Sequence, residues 1–233
     1  MRKTRIWTAV ILAAAVTLTA VGVYAVGRTV PAGGEPALSR TRVLIDPGHG
    51  GEDGGTMAKN GTLEKEINLA ISLPLADLLR LWGYEVTLTR ETDISIYDPD
   101  AATVREKKVS DLKKRLALYE QAQLVVSIHE NHFSGTQYYG TQVFYSPNAP
   151  ASQPLAASIR ESVRTLLQPE NTRELKKGDK TIYLLHKTTV PAVLVECGFL
   201  SNEAERTKLE TPAYQQQMAL AIGLGLLHYG AGT

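Results

Sequence analysis

The stretch VLIDPGHGG, residues 43–51, joins a short apolar run to a proline and to a histidine that lies between glycines. Apolar runs that end at Pro and Gly are typical of a buried strand followed by a tight turn. The glycines carry no side chain, so the ring of His49 is free to reach a small ligand. The pattern predicts a strand over residues 42–45 that presents His49 at its carboxyl end.

Further apolar runs along the chain indicate more strands of the same kind. They lie at residues 84–89, 124–128, 141–146 and 192–196, with a weaker sixth candidate, IYLL, at residues 182–185. Helical patterns separate these runs, and the first, over residues 64–83, contains Pro74, where we expect a kink. Strands that alternate with helices predict an α/β fold with a largely parallel sheet.

The composition indicates one domain and restricts the chemistry. A chain of 233 residues with 43% hydrophobic residues is long enough for one sizeable core. It has 25 basic and 24 acidic residues, so a net charge of +1 gives no electrostatic basis for nucleic-acid binding. Cys197 is the only cysteine, which excludes a disulfide framework and a cysteine-rich zinc site. Any metal site must therefore use His, Asp and Glu.

The N-terminus differs in kind from the rest of the sequence. Basic residues at positions 2, 3 and 5 precede an uncharged stretch over residues 6–27, which is the pattern of an export signal. This stretch is also long enough to span a bilayer, so residues 1–27 are either a cleaved signal peptide or a membrane anchor. A linker rich in Pro, Gly and Ala follows over residues 28–40. Both alternatives place the domain of residues 41–230 outside the cytoplasm, secreted or anchored to the outer face of the membrane.

Three side chains with metal-binding or catalytic chemistry end or follow predicted strands: His49, His129 and Glu196. The carboxyl ends of parallel strands meet at one edge of a sheet, so we expect these side chains to lie close together. A catalytic zinc ion takes three protein ligands, and Glu64 or Glu66 offers a third where the first helix begins. We choose Glu64 because it lies nearer the buried face of that helix. Either carboxylate would also stabilise the N-terminus of the helix.

Six stretches of the sequence together resemble the zinc-dependent N-acetylmuramoyl-L-alanine amidases of bacterial cell walls. They span residues 43–202 in the family's order: VLIDPGHGGEDGG, EKEINLAI, GYEVTLTRETD, LVVSIHENHF, GTQVFY and VPAVLVECGFLSN. The resemblance implies a twisted, mostly parallel sheet flanked by helices. It also implies zinc ligands at His49, Glu64 and His129 and a catalytic glutamate at Glu196. One departure is Glu130, where an uncharged residue is more usual and where an acidic residue would add negative charge near the metal.

Within this family the chain is most similar to the spore-germination subgroup typified by CwlD. The stretches that carry this similarity are VREKKVSDLKKR, YYGTQVFYSP and LQPENTRELK. The resemblance implies hydrolysis of the amide between N-acetylmuramic acid and L-alanine of the peptidoglycan stem peptide, with Zn²⁺ as cofactor. In the subgroup this cut leads to muramic-δ-lactam in the spore cortex, which implies a location in the forespore intermembrane space. The small chain, without a wall-binding repeat, also suggests a regulatory protein partner.

Other functions remain as alternatives at this point. A metal-free peptidoglycan-binding regulatory module is disfavoured because the three expected zinc ligands and the expected catalytic glutamate are all present. Another zinc hydrolase of peptidoglycan remains possible, since it would use the same residues. A cysteine hydrolase is disfavoured because Cys197 follows Glu196, and neighbours in a strand face opposite ways. His132 is a weak candidate for a substrate contact, and we expect His186 and His228 to be structural. Ion pairs and substrate contacts explain three further residues equally well: Arg90, Asp93 and Arg115.

Overall fold

The computed structural model describes residues 41–231, with side chains up to residue 230. The strands of this part are β1 (Arg42–Pro47), β2 (Glu85–Leu88), β3 (Leu124–Asn131), β4 (Gln142–Tyr145), β5 (Lys176–Lys177) and β6 (Ala192–Phe199). The helices are α1 (Glu64–Leu81), α2 (Val104–Tyr119), α3 (Ser152–Leu166), α4 (Tyr183–Lys187), α5 (Glu203–Leu209) and α6 (Pro212–Ala231). The predicted leader, residues 1–27, and the predicted linker, residues 28–40, lie outside the described residues.

The strands form one sheet in the order β2-β1-β3-β6-β4-β5. Pairing is parallel between β1 and β2, β1 and β3, β3 and β6, and β4 and β5, whereas β4 runs antiparallel to β6. This architecture confirms the predicted α/β fold with a mostly parallel sheet. It also places β1, β3 and β6 side by side, so their carboxyl ends meet at the same edge of the sheet.

Side chains alternate along the central strands and divide the core into two layers. The larger layer packs against α1, α3 and α6 and includes Val43, Ile45, Val126, Val193 and Val195. The smaller layer packs against α2 and α4 and includes Leu44, Val125, Leu194, Tyr119 and Leu185. Apolar side chains on both faces explain why these strands read as continuous apolar runs in the sequence.

The predicted strand at residues 182–185 is wrong, because residues 183–185 belong to α4 and Ile182 is its N-cap residue. Four apolar residues suffice for one helical turn or for a short strand, and periodicity cannot separate the two. In the structure Leu185 is buried and Leu184 packs against the same small cluster. The edge of the sheet is formed instead by β5, a pair of exposed lysines that has no apolar pattern.

The helices begin and end largely where local signals place them. Thr103 and Glu106 form a capping box at the start of α2, and the side chain of Asn202 caps α5. Helix α1 continues through Pro74, so this residue does not end it, and the expected kink stays a prediction. Within residues 41–231, none of the helices is both long and apolar enough to cross a membrane.

We expect Gly225→Ala to destabilise the protein although alanine favours helices. A Cβ at Gly225, in α6, would lie 2.5 Å from the Cα of Ile159 in α3, and backbone cannot move aside without separating the two helices. Overpacking of this kind costs about 1–3 kcal/mol of the free energy of unfolding, measurable by urea denaturation. Gln216→Ala, at an exposed site in α6, is the control and should change stability by no more than about 0.5 kcal/mol. Equal stability of both variants would contradict this packing argument.

Candidate metal centre

The loop between β1 and α1 holds His49 in an uncommon backbone conformation. His49 has φ +62°, and among residues 41–231 it is the only non-glycine residue with positive φ. Nearby glycines make room for side chains. A Cβ on Gly48 would lie 2.2 Å from the ring of His129, and a Cβ on Gly55 would lie 2.6 Å from Oε2 of Glu64. The glycines therefore allow two rings and a carboxylate to approach one another.

A buried ion pair fixes the start of this loop. Asp46, at 1% exposure, pairs with Arg115 of α2 and accepts hydrogen bonds from Thr89, Tyr119 and Ser127. Burial alone would raise the pKa of Asp46, but Arg115 and the hydroxyl donors lower it to about 2. The guanidinium of Arg115 also donates to the carbonyl of His49 at 2.8 Å. A side chain of α2 therefore holds the backbone of His49 in its left-handed conformation.

Arg90 ties the same loop to the first turn of α1. Its guanidinium donates to the carbonyl oxygens of Gly48 at 2.9 Å and of Lys65 at 2.8 Å. Asp93 pairs with the ammonium of Lys65 and accepts from the backbone N–H of Gly51. The contacts of Arg90, Asp93 and Arg115 that the structure describes are thus ion pairs and backbone support, and a substrate contact of these residues stays a prediction.

The structure brings His49, Glu64 and His129 together at the carboxyl edge of the sheet. Oε1 of Glu64 lies 3.2 Å from Nε2 of His49 and 2.9 Å from Nδ1 of His129. One potential ligand atom from each side chain lies within 4.8 Å of the other two. Glu64 is buried whereas Glu66 is exposed, as expected from the position of each residue on the helix.

The charged groups of the cluster shift one another's pKa values. Burial raises the pKa of Glu64, but the two imidazoles outweigh it and hold that pKa well below the ordinary range. Burial likewise lowers the pKa of His49, yet Asp53 and Glu64 raise it to about 9. Asp53 lies 3.0 Å from Nδ1 of His49, on the side of the ring away from Glu64. The sequence analysis missed Asp53, whose position two residues after Gly51 carries no periodic signal.

Glu196 extends from β6 beside the cluster. It is the parallel neighbour of His129 in the sheet register, so both side chains leave the same face. Burial raises the pKa of Glu196 to about 7, although His129 opposes this shift. Cys197 points into the larger core layer, where it is fully buried and burial raises its thiol pKa well above the ordinary value. This placement removes the thiol as a nucleophile, as the strand alternation predicted.

Glu130 is buried beside the cluster, at 3% exposure. Burial together with repulsion from Glu64 and Glu196 raises its pKa well above the ordinary value. This shift opposes a negative charge on Glu130; whether the residue adds charge near the metal stays a prediction. The other three histidines, at positions 132, 186 and 228, are exposed and lie outside the cluster.

A cavity of about 270 Å³ opens beside the two histidines. His49 and His129 line it together with Tyr97, Leu112 of α2 and Leu184 of α4. Apolar atoms make up most of its wall, and charged side chains, among them Lys107 and Arg115, also contribute to the lining. The cavity can therefore hold a small, partly apolar group next to the cluster.

The residues present fit a metal ion. Two imidazole nitrogens and one carboxylate oxygen are the donor set of many catalytic zinc sites. The contact of Asp53 with Nδ1 directs the free Nε2 of His49 into the cluster, which is the usual arrangement behind a ligating histidine. In addition, Oε2 of Glu196 is buried without a hydrogen-bond partner among the residues that the structure describes. Such an oxygen calls for a ligand or a polar reactant.

The fold and this site define a hydrolase with a candidate metal centre. The family model described as N-acetylmuramoyl-L-alanine amidase (Amidase_3) matches residues 43–228, a range that contains the whole cluster. The chain belongs to this family and is therefore an amidase.

Individual relatives agree with this assignment. The germination-specific N-acetylmuramoyl-L-alanine amidase of Bacillus subtilis (strain 168) is 36% identical over 194 residues, covering 82% of this chain and 81% of the relative. The structure of the CwlD amidase from Clostridioides difficile, in complex with the GerS lipoprotein, is 41% identical with a TM-score of 0.80, covering 83% of this chain and 100% of that one. AmiC2 of Nostoc punctiforme is 30% identical with a TM-score of 0.71, covering 82% and 98%. The predicted similarity to the germination-specific subgroup is confirmed.

The ion pair at Asp46 predicts a specific acid sensitivity. The pKa of Asp46 falls from an ordinary 3.8 to about 2 on folding, so the unfolded chain binds the proton more tightly. The resulting stabilisation, about 2 kcal/mol, is complete above about pH 4 and is lost as the pH falls toward 2. We expect Asp46→Asn to be less stable at neutral pH and to lose less stability between pH 4 and 2, as measured by urea unfolding.

Tyr119→Phe is the matched control for this measurement. It removes one hydrogen-bond donor to Asp46 but keeps the carboxylate and Arg115. This variant should keep the steep loss of stability in acid. If the wild-type and Asp46→Asn curves run parallel below pH 4, Asp46 does not have the role described.

Proposed function

We propose that the protein is a zinc-dependent hydrolase of the amide bond between the lactyl group of N-acetylmuramic acid and L-alanine of the peptidoglycan stem peptide. The observation that carries this proposal is the meeting of His49, Glu64 and His129 beside Glu196, in a chain of the amidase family. Zinc, held by the two histidines and Glu64, would polarise the amide carbonyl and lower the pKa of its water toward neutrality.

The protein's own residues supply the proton transfers and the positioning. Glu196 takes a proton from the attacking water and delivers it to the leaving nitrogen, so that hydrolysis yields a lactyl carboxylate and the free amine of L-alanine. A carboxyl group with a pKa raised toward 7 can accept and release a proton near neutral pH. Asp53 holds the ring of His49 in orientation, and the cavity next to His129 receives the first residues of the stem peptide.

Two glutamate variants separate metal binding from catalysis. Glu64→Gln should lose both zinc and activity, because it removes an anionic ligand. Glu196→Gln should keep about one zinc per chain while kcat falls by about 10²–10⁴-fold, because it removes the proton acceptor. The measurements are metal content after dialysis and release of stem peptides from purified peptidoglycan. Glu66→Gln, on the same helical turn but exposed, is the control and should resemble the wild type.

Product analysis distinguishes this activity from the alternatives. Mass spectrometry of the digest should show intact stem peptides with a free L-alanine amine, and glycans that keep the lactyl group. Fragments cut within the stem would indicate a different zinc hydrolase, and an undigested wall would indicate a regulatory module. Near wild-type activity of Glu196→Gln would overturn the proposed catalytic role.

We further propose that the protein acts outside the cytoplasm, in maturation of the spore cortex. Support comes from the germination-specific relative of Bacillus subtilis and from the export-type N-terminus. The CwlD relative is seen with the GerS lipoprotein, which supports a protein partner for this chain as well. Cleavage in the forespore intermembrane space would prepare muramic acid for formation of the δ-lactam.

Complementation tests this biological role. The full chain, expressed in a Bacillus subtilis strain that lacks its germination-specific amidase, should restore muramic-δ-lactam to the cortex, as measured by muropeptide chromatography. The Glu196→Gln variant should accumulate to the same level without restoring the lactam. Wild-type peptidoglycan cleavage in vitro without restoration in spores would separate the enzymatic activity from the proposed role in spores.

A further inference from the structure

One loop of the described part of the chain carries three exposed aromatic side chains. Phe133, Tyr138 and Tyr139 are 54%, 40% and 53% exposed. Every other Phe, Tyr or Trp that the structure describes is buried or half-buried. We call residues 133–140 the aromatic loop. Several large apolar side chains exposed together are uncommon on a soluble domain and mark a surface that binds something.

The aromatic loop is held in place by its neighbours, so its aromatic rings are presented in a fixed arrangement. Asn202 donates to the carbonyl oxygens of Thr136 and Tyr138, at 3.0 and 3.2 Å. Arg173 donates to the carbonyl of Tyr139 at 2.6 Å, and Glu205 accepts from the backbone N–H of Gly140 at 2.9 Å. A loop ordered before binding loses little entropy on contact with a ligand.

The aromatic loop follows the strand that carries His129. It starts four residues after His129, at the carboxyl end of β3. The ring of Tyr138 stacks on Phe199 with centroids 6.3 Å apart, and Phe199 lies three residues beyond Glu196 in β6. Phe133 meets Tyr138 edge to face at 4.9 Å. The aromatic loop is thus attached to the ends of β3 and β6, the strands that carry His129 and Glu196.

Polar groups accompany the rings. Tyr138, Tyr139, Gln137 and Thr172 border a shallow hollow of about 140 Å³, together with the guanidinium of Arg173. Aromatic faces beside amide, hydroxyl and guanidinium groups match the surface of a pyranose sugar. The C–H groups of a sugar lie against a ring face, and its hydroxyl and acetamido groups form hydrogen bonds around the edge.

The chemistry of the proposed substrate favours a sugar over a protein as the occupant. The scissile amide is attached through the lactyl group directly to a sugar ring. When this amide lies at Glu196, the neighbouring sugars of the glycan strand must therefore lie on the protein surface close to Glu196. The aromatic loop is the adjoining surface on the β6 side of the cluster. The cavity beside His49 lies on the α2 side and leaves the loop free for the glycan.

We propose that the aromatic loop is a glycan-binding surface on which sugar rings flanking the cleaved muramic acid residue stack against Phe133 and Tyr139. This inference rests on the proposed function and adds the part of the substrate that the loop recognises. Tyr138, which is packed between Phe133 and Phe199, supports the ring of Phe133. The polar groups around the hollow bind hydroxyl and acetamido groups of the same strand.

The test compares a long substrate with a short one. The double variant Phe133→Ala/Tyr139→Ala should raise KM for long glycan strands with attached stem peptides by about tenfold or more, because both ring faces that stack on sugars are removed. For a single N-acetylmuramoyl-peptide, which has no flanking sugar, kcat and KM should stay near wild-type values. Phe133→Tyr/Tyr139→Phe keeps both rings and should behave as wild type. Leu81→Ala is the exposed apolar control, at the far end of α1.

Binding of peptide-free glycan strands gives a second readout that does not depend on hydrolysis. The wild type should bind them, and the double alanine variant should bind them at least about tenfold more weakly. A wild type that cleaves the wall but does not bind these strands overturns this inference alone. A wild type that binds them without cleaving the wall overturns the proposed function alone. Equal KM changes for both substrates, or loss of a protein partner with unchanged glycan binding, would also overturn the inference.

Discussion

One buried ion pair determines the geometry on which the candidate metal centre depends. Asp46 and Arg115 have side chains exposed by only 1% and 3%, and Arg115 also pairs with Asp111 through its Nε. The buried charge of Asp46 requires the guanidinium as its cationic partner. Other N–H groups of Arg115 donate to the carbonyls of Pro47 and His49. The pair therefore couples a left-handed residue in the loop after β1 to helix α2. Replacing such a pair with apolar groups need not reduce stability, but it would release these carbonyls. Its importance lies in positioning more than in net stabilisation.

Three carboxyl groups meet near the carboxyl edge of the sheet, and their surroundings shift their pKa values differently. Two imidazoles contact Glu64 and lower its pKa. Burial and the neighbouring carboxylates raise the pKa of Glu130. Glu196 lies between these cases, since burial raises its pKa and His129 lowers it. The surroundings of each carboxyl group, and not the residue type, determine its pKa.

Sequence patterns predicted the strand ends well, because a buried parallel strand and its terminal polar residue are both local signals. They located His49, His129 and Glu196 at one edge and preferred Glu64 to Glu66 from helical position alone. They could not predict which side chains hold these residues in place. Arg115 reaches the loop across 66 positions of sequence, and no local spacing reveals such a contact. The error at residues 182–185 has a related cause, because tertiary packing decides whether a short apolar run becomes helix or strand.

The position of the candidate metal centre in the fold suits a substrate in which a long glycan and a peptide extend away from the cleaved bond. The bond to be cut joins a sugar of a polymer to a peptide, so an enclosed pocket could not accommodate both chains. The cluster instead lies at an open sheet edge, with a largely apolar cavity on the α2 side and the aromatic loop on the β6 side. A peptide entering the cavity and a glycan crossing the loop would bring their junction to Glu196. The parallel order β1-β3-β6 makes this arrangement available, because it brings three strand ends together at one edge and leaves connecting loops on either side.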